Sequence, residues 1–417
     1  AFKVMSYTRT AMQTIKLKPA FRNAVLAATA LVASFWAQTA LVQPVPAQPQ
    51  AAQPADAQII PRPPQINATS YILMDAATGA VLVESNADTP LPPASLTKIM
   101  TTYVADSEIA AGNISLDDEV HVSVKAWKTE GSKMFIQEGT KVRLEDIMRG
   151  IIIQSGNDAS IALAEHIAGS EDAFADMMNQ YAAKLGLKNS HFLNASGLPD
   201  PEHVMSARDL ALLARAVIVE YPEPYKMYAE REFTYNNIRQ PNRNTLLFSD
   251  RTVDGMKTGF TDDAGYCLVA SAVRDGMRLI TVVMGTESAN ARATETAKLL
   301  TYGFRFYETH DLFSANHVMG NVQVWSGQAD SVDVGIQDAL TVTIPRGQAQ
   351  RLETTLTLDE KVKAPITVGQ VLGSAKVSLG DQVFYDGPVV AMTDVERGSL
   401  LKRLMDWLHL FFLSLFE

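Results

Sequence analysis

Three short groups of residues have types and spacings that can do chemistry. Ser95 and Lys98 lie three apart in PPASLTK. On a helix both fall on one face, with the lysine amine in reach of the serine hydroxyl. Burial or a nearby cation brings a lysine pKa towards neutrality, and a neutral amine can take the hydroxyl proton and leave a serine nucleophile. The positive end of a helix also favours the developing alkoxide. Ser155-Gly156-Asn157 sits between two apolar runs, where a loop can present a hydroxyl and an amide to a cleft. Lys257-Thr258-Gly259 offers a cation, a hydroxyl and a bare backbone that can engage a carboxylate and admit an extended substrate. Each group alone also has an ordinary structural explanation: a helix cap with a solvated lysine, a second cap, a surface turn. Their order is more specific, with roughly 60 residues between the first two groups and roughly 100 between the last two.

Such residues need elements to hold them. SYILMDAATGAVLVES predicts a hairpin around Ala77-Thr78-Gly79. Leu96, Ile99, Met100 and Tyr103 recur at helical spacing, which puts Ser95 at a helix start, and Gly112 ends the run. Further helices are expected at about 144–153, 157–168, 171–185 and 206–220. Strands return in RTVDGMKTG and in YCLVASAVRDGMRLITVVMG, with a hairpin turn at Asp275-Gly276, before a closing helix over about 290–306. Strands first and last with helices between predict an α+β fold, one antiparallel sheet with helices packed on it. Beyond His310 short alternating runs such as NVQVW, ALTVTIP and TTLTLD predict a second, all-β domain.

Composition narrows the class. Of 417 residues, 47% are apolar and 20% charged, as in a globular protein with a sizeable core. The formal charge of -10 disfavours nucleic acid as a partner. The single cysteine, Cys267, excludes intramolecular disulfides and thiolate-rich metal sites, and its apolar strand pattern reads as a buried small hydrophobe. His191 and His203 are too far apart for a local metal pair and read as loop or core histidines, and Glu165 reads as a solvated helix residue.

The ends point to a membrane. Lys16, Lys18 and Arg22 precede an apolar stretch from Ala24 to Ala40, the pattern of a cleaved signal segment or, at the lower limit of length, an uncleaved anchor. Met5 or Met12 is the expected start. Prolines at 44, 46, 49, 54, 61, 63 and 64 make a stiff extended linker. In LLKRLMDWLHLFFLSLFE, residues Lys402, Arg403, Asp406, His409, Ser414 and Glu417 fall within an arc of about 140°. The rest is leucine, phenylalanine and Trp407, which predicts an interfacial membrane helix, or else a helix packed on the β domain. The expected organisation is a signal segment at 1–40, linker at 41–64, catalytic domain at 65–310, all-β domain at 311–397 and amphipathic helix at 398–417.

At PASLTKIM, RGIIIQSGNDAS, NRNTLLFSD, VDGMKTGFTDDAGYCLVASA, LLTYGFRFYET and TVTIPRG the chain resembles the low-molecular-mass penicillin-binding proteins of the 5/6 type, serine-type D-alanyl-D-alanine carboxypeptidases. The resemblance runs from about Pro61 to the C-terminus. It implies a five-stranded antiparallel sheet flanked by helices, a mostly helical subdomain bearing Ser155, and a β-sandwich-like domain that lifts the active site from the membrane. It also implies catalytic roles for Ser95 as the acylated nucleophile, Lys98 as its base and Ser155 in the proton relay. Asn157 and Lys257 would complete the relay and hold substrate, with Thr258 on the terminal carboxylate and Gly259 leaving room for it. The N–H groups of Ser95 and Phe260 would form the oxyanion hole, and Arg292 would add positive charge for the carboxylate. Many relatives carry His where this chain has Phe260, so any imidazole contribution there is lost.

The implied substrates are peptidoglycan stem pentapeptides, with β-lactams as covalent inhibitors, no cofactor or metal, and a location on the periplasmic face of the inner membrane. Two alternatives stay open. A serine β-lactamase of class A type would need a water-activating carboxylate, and residues 187–198 contain neither Asp nor Glu. A non-catalytic cell-wall-binding protein would have no use for an intact Ser95–Lys98 pair.

Overall fold

Alternating apolar residues build a sheet whose two faces bury different sets of side chains. The computed structural model describes residues 60–414. The apolar segment at 1–40, linker residues 41–59 and residues 415–417 lie outside the described residues. Strands β1 (Ser70–Asp75) and β2 (Val81–Ser85) form the hairpin expected around Gly79. They join β3 (Val253–Thr261), β4 (Gly265–Arg274) and β5 (Met277–Thr286) in an antiparallel sheet of order β2-β1-β5-β4-β3. The β4–β5 turn is the expected Asp-Gly, with φ +50° at Asp275 and +82° at Gly276, the left-handed pair that matches strand twist. β3 is therefore an edge strand.

One face of the sheet, with Ile72, Met74, Val269 and Ile280, packs on Leu96, on Ile99 of α1 (Lys98–Ala110), and on Leu210 and Leu213 of α5 (Ala207–Glu220). The other, with Leu73, Leu268 and Val283, packs on Leu299, Leu300 and Phe304 of α6 (Ala289–Phe306). Each such side chain withdrawn from water contributes about 1.5–3 kcal/mol, so α1 is held in the core by its apolar residues while its first turn reaches the sheet edge.

Between β2 and β3 lie α2 (Leu144–Arg149), α3 (Asn157–Ala168), α4 (Glu171–Leu185) and α5. Ser170, Ser206 and Ser288 cap α4, α5 and α6 by accepting from backbone N–H groups three residues on, at 3.2, 3.1 and 3.0 Å. The helix expected over 144–153 departs from that expectation. It is α-helical only to Arg149 and then widens into a π-turn, Gly150–Gln154, that ends at Ser155 with φ +65°. Gly150 permits the close approach of Met134 here, since a Cβ would stand 2.3 Å from the Met134 sulfur.

The second unit is all-β. It starts with β6 (Tyr307–Phe313), which leaves α6 directly and pairs with β9 (Leu340–Pro345). A six-stranded sheet holds β7 (His317–Trp325), β8 (Ser331–Ile336), β10 (Glu353–Leu358), β11 (Val362–Lys363), β12 (Val371–Leu379) and β13 (Gln382–Ala391) in the order β10-β12-β13-β8-β7-β11. Val322, Val334, Leu372 and Val389 form its core.

The terminal helix α7 (Leu400–Ser414) reverses the simplest picture of an amphipathic segment. Its polar arc docks on the β unit: Asp406 accepts from the Ser326 N–H at 2.6 Å, Lys402 pairs with Asp330, and His409 stands edge-on to Trp325. Leu400, Leu401, Leu404, Met405, Trp407 and Phe412 are left exposed. Among the described residues no helix is long and apolar enough to cross a membrane.

A buried carboxylate joins the two units. Asp75, at the end of β1, accepts from the Ala77 N–H at 2.7 Å, from the Thr343 hydroxyl at 2.9 Å and from the Thr309 hydroxyl. It is fully buried. Replacing it with Ala strands the Thr309 hydroxyl and a turn N–H and leaves the Thr343 hydroxyl only Thr78 as partner, so Asp75→Ala should lower unfolding stability by about 3 kcal/mol and Thr309→Val by about 1 kcal/mol. Urea titration checks this; a loss from Asp75→Ala no greater than that from Thr309→Val would mean that the carboxylate does not organise the junction.

Candidate active site

The turn before α1 is bent by strain. Ala94 has φ +48°, a region that a residue with a Cβ occupies at a cost, and Ala94–Thr97 forms a 3-10 turn that runs into the helix. The turn holds Ser95 half-exposed at the mouth of a cleft with Lys98 fully buried one turn beneath.

Lys98 Nζ has three polar neighbours: Ser95 Oγ at 3.0 Å, Asn157 Oδ1 at 2.8 Å and the Ser196 carbonyl at 2.5 Å. Two are carbonyl oxygens that can only accept. A neutral amine has two N–H groups and one lone pair, so its donors go to Asn157 and Ser196 and the lone pair is left for the Ser95 hydroxyl. Burial, and then the positive charge of Arg243, hold the Lys98 amine down to about 7, against the opposing pull of Asp158. The neutral base is therefore available near neutral pH.

The π-turn shapes the second wall. Ser155, 2% exposed, has an Oγ with no hydrogen-bond partner among the described residues. Asn157 bridges outward as well, its Nδ2 donating to the Glu130 carbonyl at 2.7 Å. Gly131, at φ +85°, leaves room for that amide, which a Cβ would approach to 2.6 Å. Asp158 fixes the same loop by accepting from the N–H groups of Met134, Phe135 and Ile136 at 2.9, 2.9 and 3.3 Å.

The third wall is β3. Lys257 is buried, and burial together with Lys98, Arg243 and Arg292 drives its pKa well below the usual lysine range. Its Nζ donates to the Thr258 carbonyl at 3.1 Å. Gly259 lies so close to the nucleophile turn that a Cβ would meet the Pro93 carbonyl at 3.0 Å and Leu96 at 3.2 Å. Side chains there would push the edge strand from Ser95. Phe260 is 47% exposed and stacks on Tyr266, its cross-strand partner, with ring centroids 4.2 Å apart. Arg292 lies over the other aromatic neighbour, 5.6 Å from the Tyr266 ring, and donates to the Gly259 carbonyl at 3.0 Å. One of its donors thus fixes β3.

Ser95, Lys98, Ser155, Asn157, Lys257, Thr258 and Gly259 converge from three separate parts of the chain. Sequence reasoning did not single out Ser196, whose carbonyl completes the Lys98 environment, nor Arg243 and Asp158 as the charges that bias it. Asn194, whose side-chain oxygen accepts from Ser196, Gly197 and Leu198, shapes the acceptor segment. An Asn followed by small residues and Gly in NASG is the signal for such a turn. Cys267 is buried as expected, His191 is exposed and His203 is buried, and Glu165 is half-buried near Lys125. A carboxylate does reach the 187–198 segment from outside it: Glu171 accepts from the Ala195 N–H at 3.2 Å. Its other oxygen is paired with Lys125 at 2.9 Å, so both oxygens are engaged. A separate groove of about 700 Å³ runs along α6, lined by Arg62, Lys298 and Tyr302, and its Lys298 is paired with Glu295 at 2.8 Å.

Comparison with known proteins gives the same direction. The family model described as D-alanyl-D-alanine carboxypeptidase matches residues 57–288, and one described as the penicillin-binding protein 5 C-terminal domain matches residues 307–397. The chain is 46% identical over 357 residues to the D-alanyl-D-alanine carboxypeptidase DacC of Escherichia coli strain K12, covering 84% of this chain and 89% of that protein. It is 35% identical to DacF of Bacillus subtilis, covering 82% and 90%. Among solved structures, penicillin binding protein 5 from Haemophilus influenzae superposes with a TM-score of 0.77 at 42% identity, covering 81% of this chain and 99% of that one. With matches across both folded units and a serine beside a buried amine at the cleft, the chain belongs to the serine-type D-alanyl-D-alanine carboxypeptidases, the low-molecular-mass penicillin-binding proteins.

Proposed function

We propose that this enzyme removes the terminal D-alanine from peptidoglycan stem pentapeptides, with Ser95 as nucleophile and Lys98 as its base. The observation that carries the roles is the Lys98 amine, buried between two carbonyl acceptors with its remaining valence at Ser95 Oγ. The Ser95 proton passes to Lys98 as Oγ bonds to the carbonyl carbon of the penultimate D-alanine. The N–H groups of Ser95 and Phe260 receive the oxyanion. As the C–N bond breaks, the proton reaches the leaving amine through Ser155, whose unpartnered Oγ suits a relay. Water then gives a proton to Lys98 and its oxygen to the acyl carbon, and Ser95 recovers its hydrogen. Lys257, Thr258 and Arg292 supply the positive and hydroxyl groups for the substrate carboxylate, with Asn157 on the peptide and Gly259 keeping the strand edge open. Phe260 adds an aromatic surface where an imidazole would titrate.

β-Lactams acylate the same serine, and their retained ring obstructs water. Glu171, which reaches the 187–198 segment, is engaged on both oxygens and is not free to activate that water. This favours a carboxypeptidase over a β-lactamase. Residues 65–310 would form the catalytic domain and 311–397 the β spacer. The enzyme would work at the periplasmic face of the inner membrane, held there by α7, whose apolar face is exposed while its polar arc is docked.

Ser95→Ala should abolish both covalent labelling by benzylpenicillin and D-alanine release from a pentapeptide, with the thermal transition nearly unchanged because one hydroxyl is lost. On the native enzyme the penicillin adduct should persist for minutes or longer, about a few kcal/mol of extra deacylation barrier relative to fast turnover. Intact-mass measurement over time reads both. Release of D-alanine by Ser95→Ala at the native rate, or rapid penicillin turnover without D-alanine release, would overturn the reading.

Deleting the chain after Gly398 should leave activity on small peptides intact and abolish binding to vesicles containing anionic lipid. Sedimentation with those vesicles checks it, both proteins lacking residues 1–40; equal sedimentation of the two would place attachment elsewhere.

A further inference from the structure

We propose that His203 is a positioning residue for the acylation step, tying the nucleophile turn to the segment whose carbonyl holds Lys98. This rests on the assignment of Ser95 and Lys98 as the reacting pair. The imidazole is 2% exposed and is used on both nitrogens. The Leu193 N–H donates to Nδ1 at 3.1 Å, so Nδ1 is the unprotonated nitrogen and the proton is on Nε2. Nε2 donates to Thr97 Oγ1 at 2.8 Å, and Thr97 Oγ1 donates in turn to the Ala94 carbonyl at 2.8 Å.

That chain of donors ends on the strained residue next to the nucleophile. Ala94 holds φ +48°, and such a conformation persists only where its surroundings over-determine it. The Ala94 carbonyl also lies against Gly197, where a Cβ would come within 1.9 Å of it. The turn bearing Ser95 and the segment 193–198 are thus in close contact, and His203 hydrogen-bonds to both. The segment has other ties: Thr101 Oγ1 donates to the Ala195 carbonyl at 2.7 Å and Glu171 accepts from the Ala195 N–H. Thr101 Oγ1 also reaches the Thr97 carbonyl at 3.5 Å, whereas His203 acts on the Ala94 end of the turn through the Thr97 hydroxyl. Phe192 packs edge-on against the ring and keeps it in place.

Two consequences reach the chemistry. Losing the His203–Thr97 bond leaves the Thr97 hydroxyl free to turn away from the Ala94 carbonyl and loosens the geometry of Ser95. Losing the Leu193 bond loosens the segment that sets the 2.5 Å contact between Lys98 Nζ and the Ser196 carbonyl. That carbonyl stabilises the ammonium form, so its retreat lowers the Lys98 pKa further and moves the acid limb of the rate profile to lower pH. The charged and titratable groups facing His203 are Lys98, Asp200 and His191, and those bearing on Lys98 are Arg243, Asp158 and Lys257. Burial holds the imidazole down to about 4, so it is neutral throughout the range in which Lys98 titrates. The limb therefore reports Lys98 and not His203.

The experiment measures benzylpenicillin acylation and pentapeptide kcat and KM against pH for the native enzyme, His203→Ala, His203→Gln and Thr97→Val, with Ser95→Ala as control. Expected for His203→Ala are an acylation rate down about tenfold, kcat falling more than KM rises, and an acid limb about half a pH unit lower. His203→Gln, which places an amide donor near Thr97, should recover part of the rate. Thr97→Val, which fills the same volume without a hydroxyl, should lose rate like His203→Ala and supplies the test if that variant does not fold. Acylation within twofold of native and an unmoved acid limb in the folded variants would overturn the proposal. So would an equal rate loss in His203→Ala and His203→Gln with the limb unmoved, which marks a purely structural role. If Ser95→Ala still acquires the penicillin adduct, the failure belongs to the assignment of the reacting pair instead.

Discussion

A lysine amine taken out of water and given two carbonyl oxygens and one hydroxyl is the interaction on which the site depends. Withdrawing a full ammonium charge from water costs several kcal/mol unless the charge is matched. Here the neighbours leave it unmatched: the nearest partners are neutral, Arg243 adds a like charge, and Asp158 is already occupied by backbone N–H groups of the 134–136 loop. The amine resolves the conflict by losing its proton near neutral pH. Its lone pair then has one compatible partner, the hydroxyl of Ser95.

Most of the surrounding architecture can be read as the support that this arrangement requires. The 3-10 turn and the start of α1 set Ser95 and Lys98 side by side because Leu96 and Ile99 are packed in the core on the sheet. The π-turn delivers Ser155 and Asn157 to the same point, and the edge strand β3 brings Lys257 and Thr258 within reach because Gly259 permits contact with the nucleophile turn. A second lysine in so small a volume reinforces the first, since each cation discourages the other. The two folded units are joined by the buried Asp75 carboxylate rather than by apolar contact alone. The terminal helix keeps its polar arc on the β unit and its apolar face outward, so a membrane bound to that face would orient the whole molecule.

Much of this was legible in the sequence, for identifiable reasons. The strand alternation, the helix period and the Asp275-Gly276 turn are local patterns, and they gave the sheet, the helices at 157–168 and 171–185 and the spacing of the three motifs. The π-turn was hidden because its apolar residues, Ile151 to Ile153, fit an α-helical period equally well, and the close approach of Met134 to Gly150 at its start is a tertiary contact. Ser196 was invisible because it contributes a backbone carbonyl, which every residue has. Arg243 and His203 act through burial and distance, and neither property is written in the neighbouring letters. The docking of the polar face of α7 was hidden for the same reason, since amphipathicity gives two faces without saying which one meets protein.

Whether the buried amine is neutral near pH 7 is decided by titrating Lys98 itself by NMR of the enzyme labelled at lysine Nζ and Cε, with Lys98→Ala to assign the signal. A pKa near 7 is expected in the native enzyme, rising when Arg243 is replaced by Gln because a repelling cation is removed. A Lys98 ammonium that keeps its proton up to the ordinary lysine range, around pH 10, would contradict it.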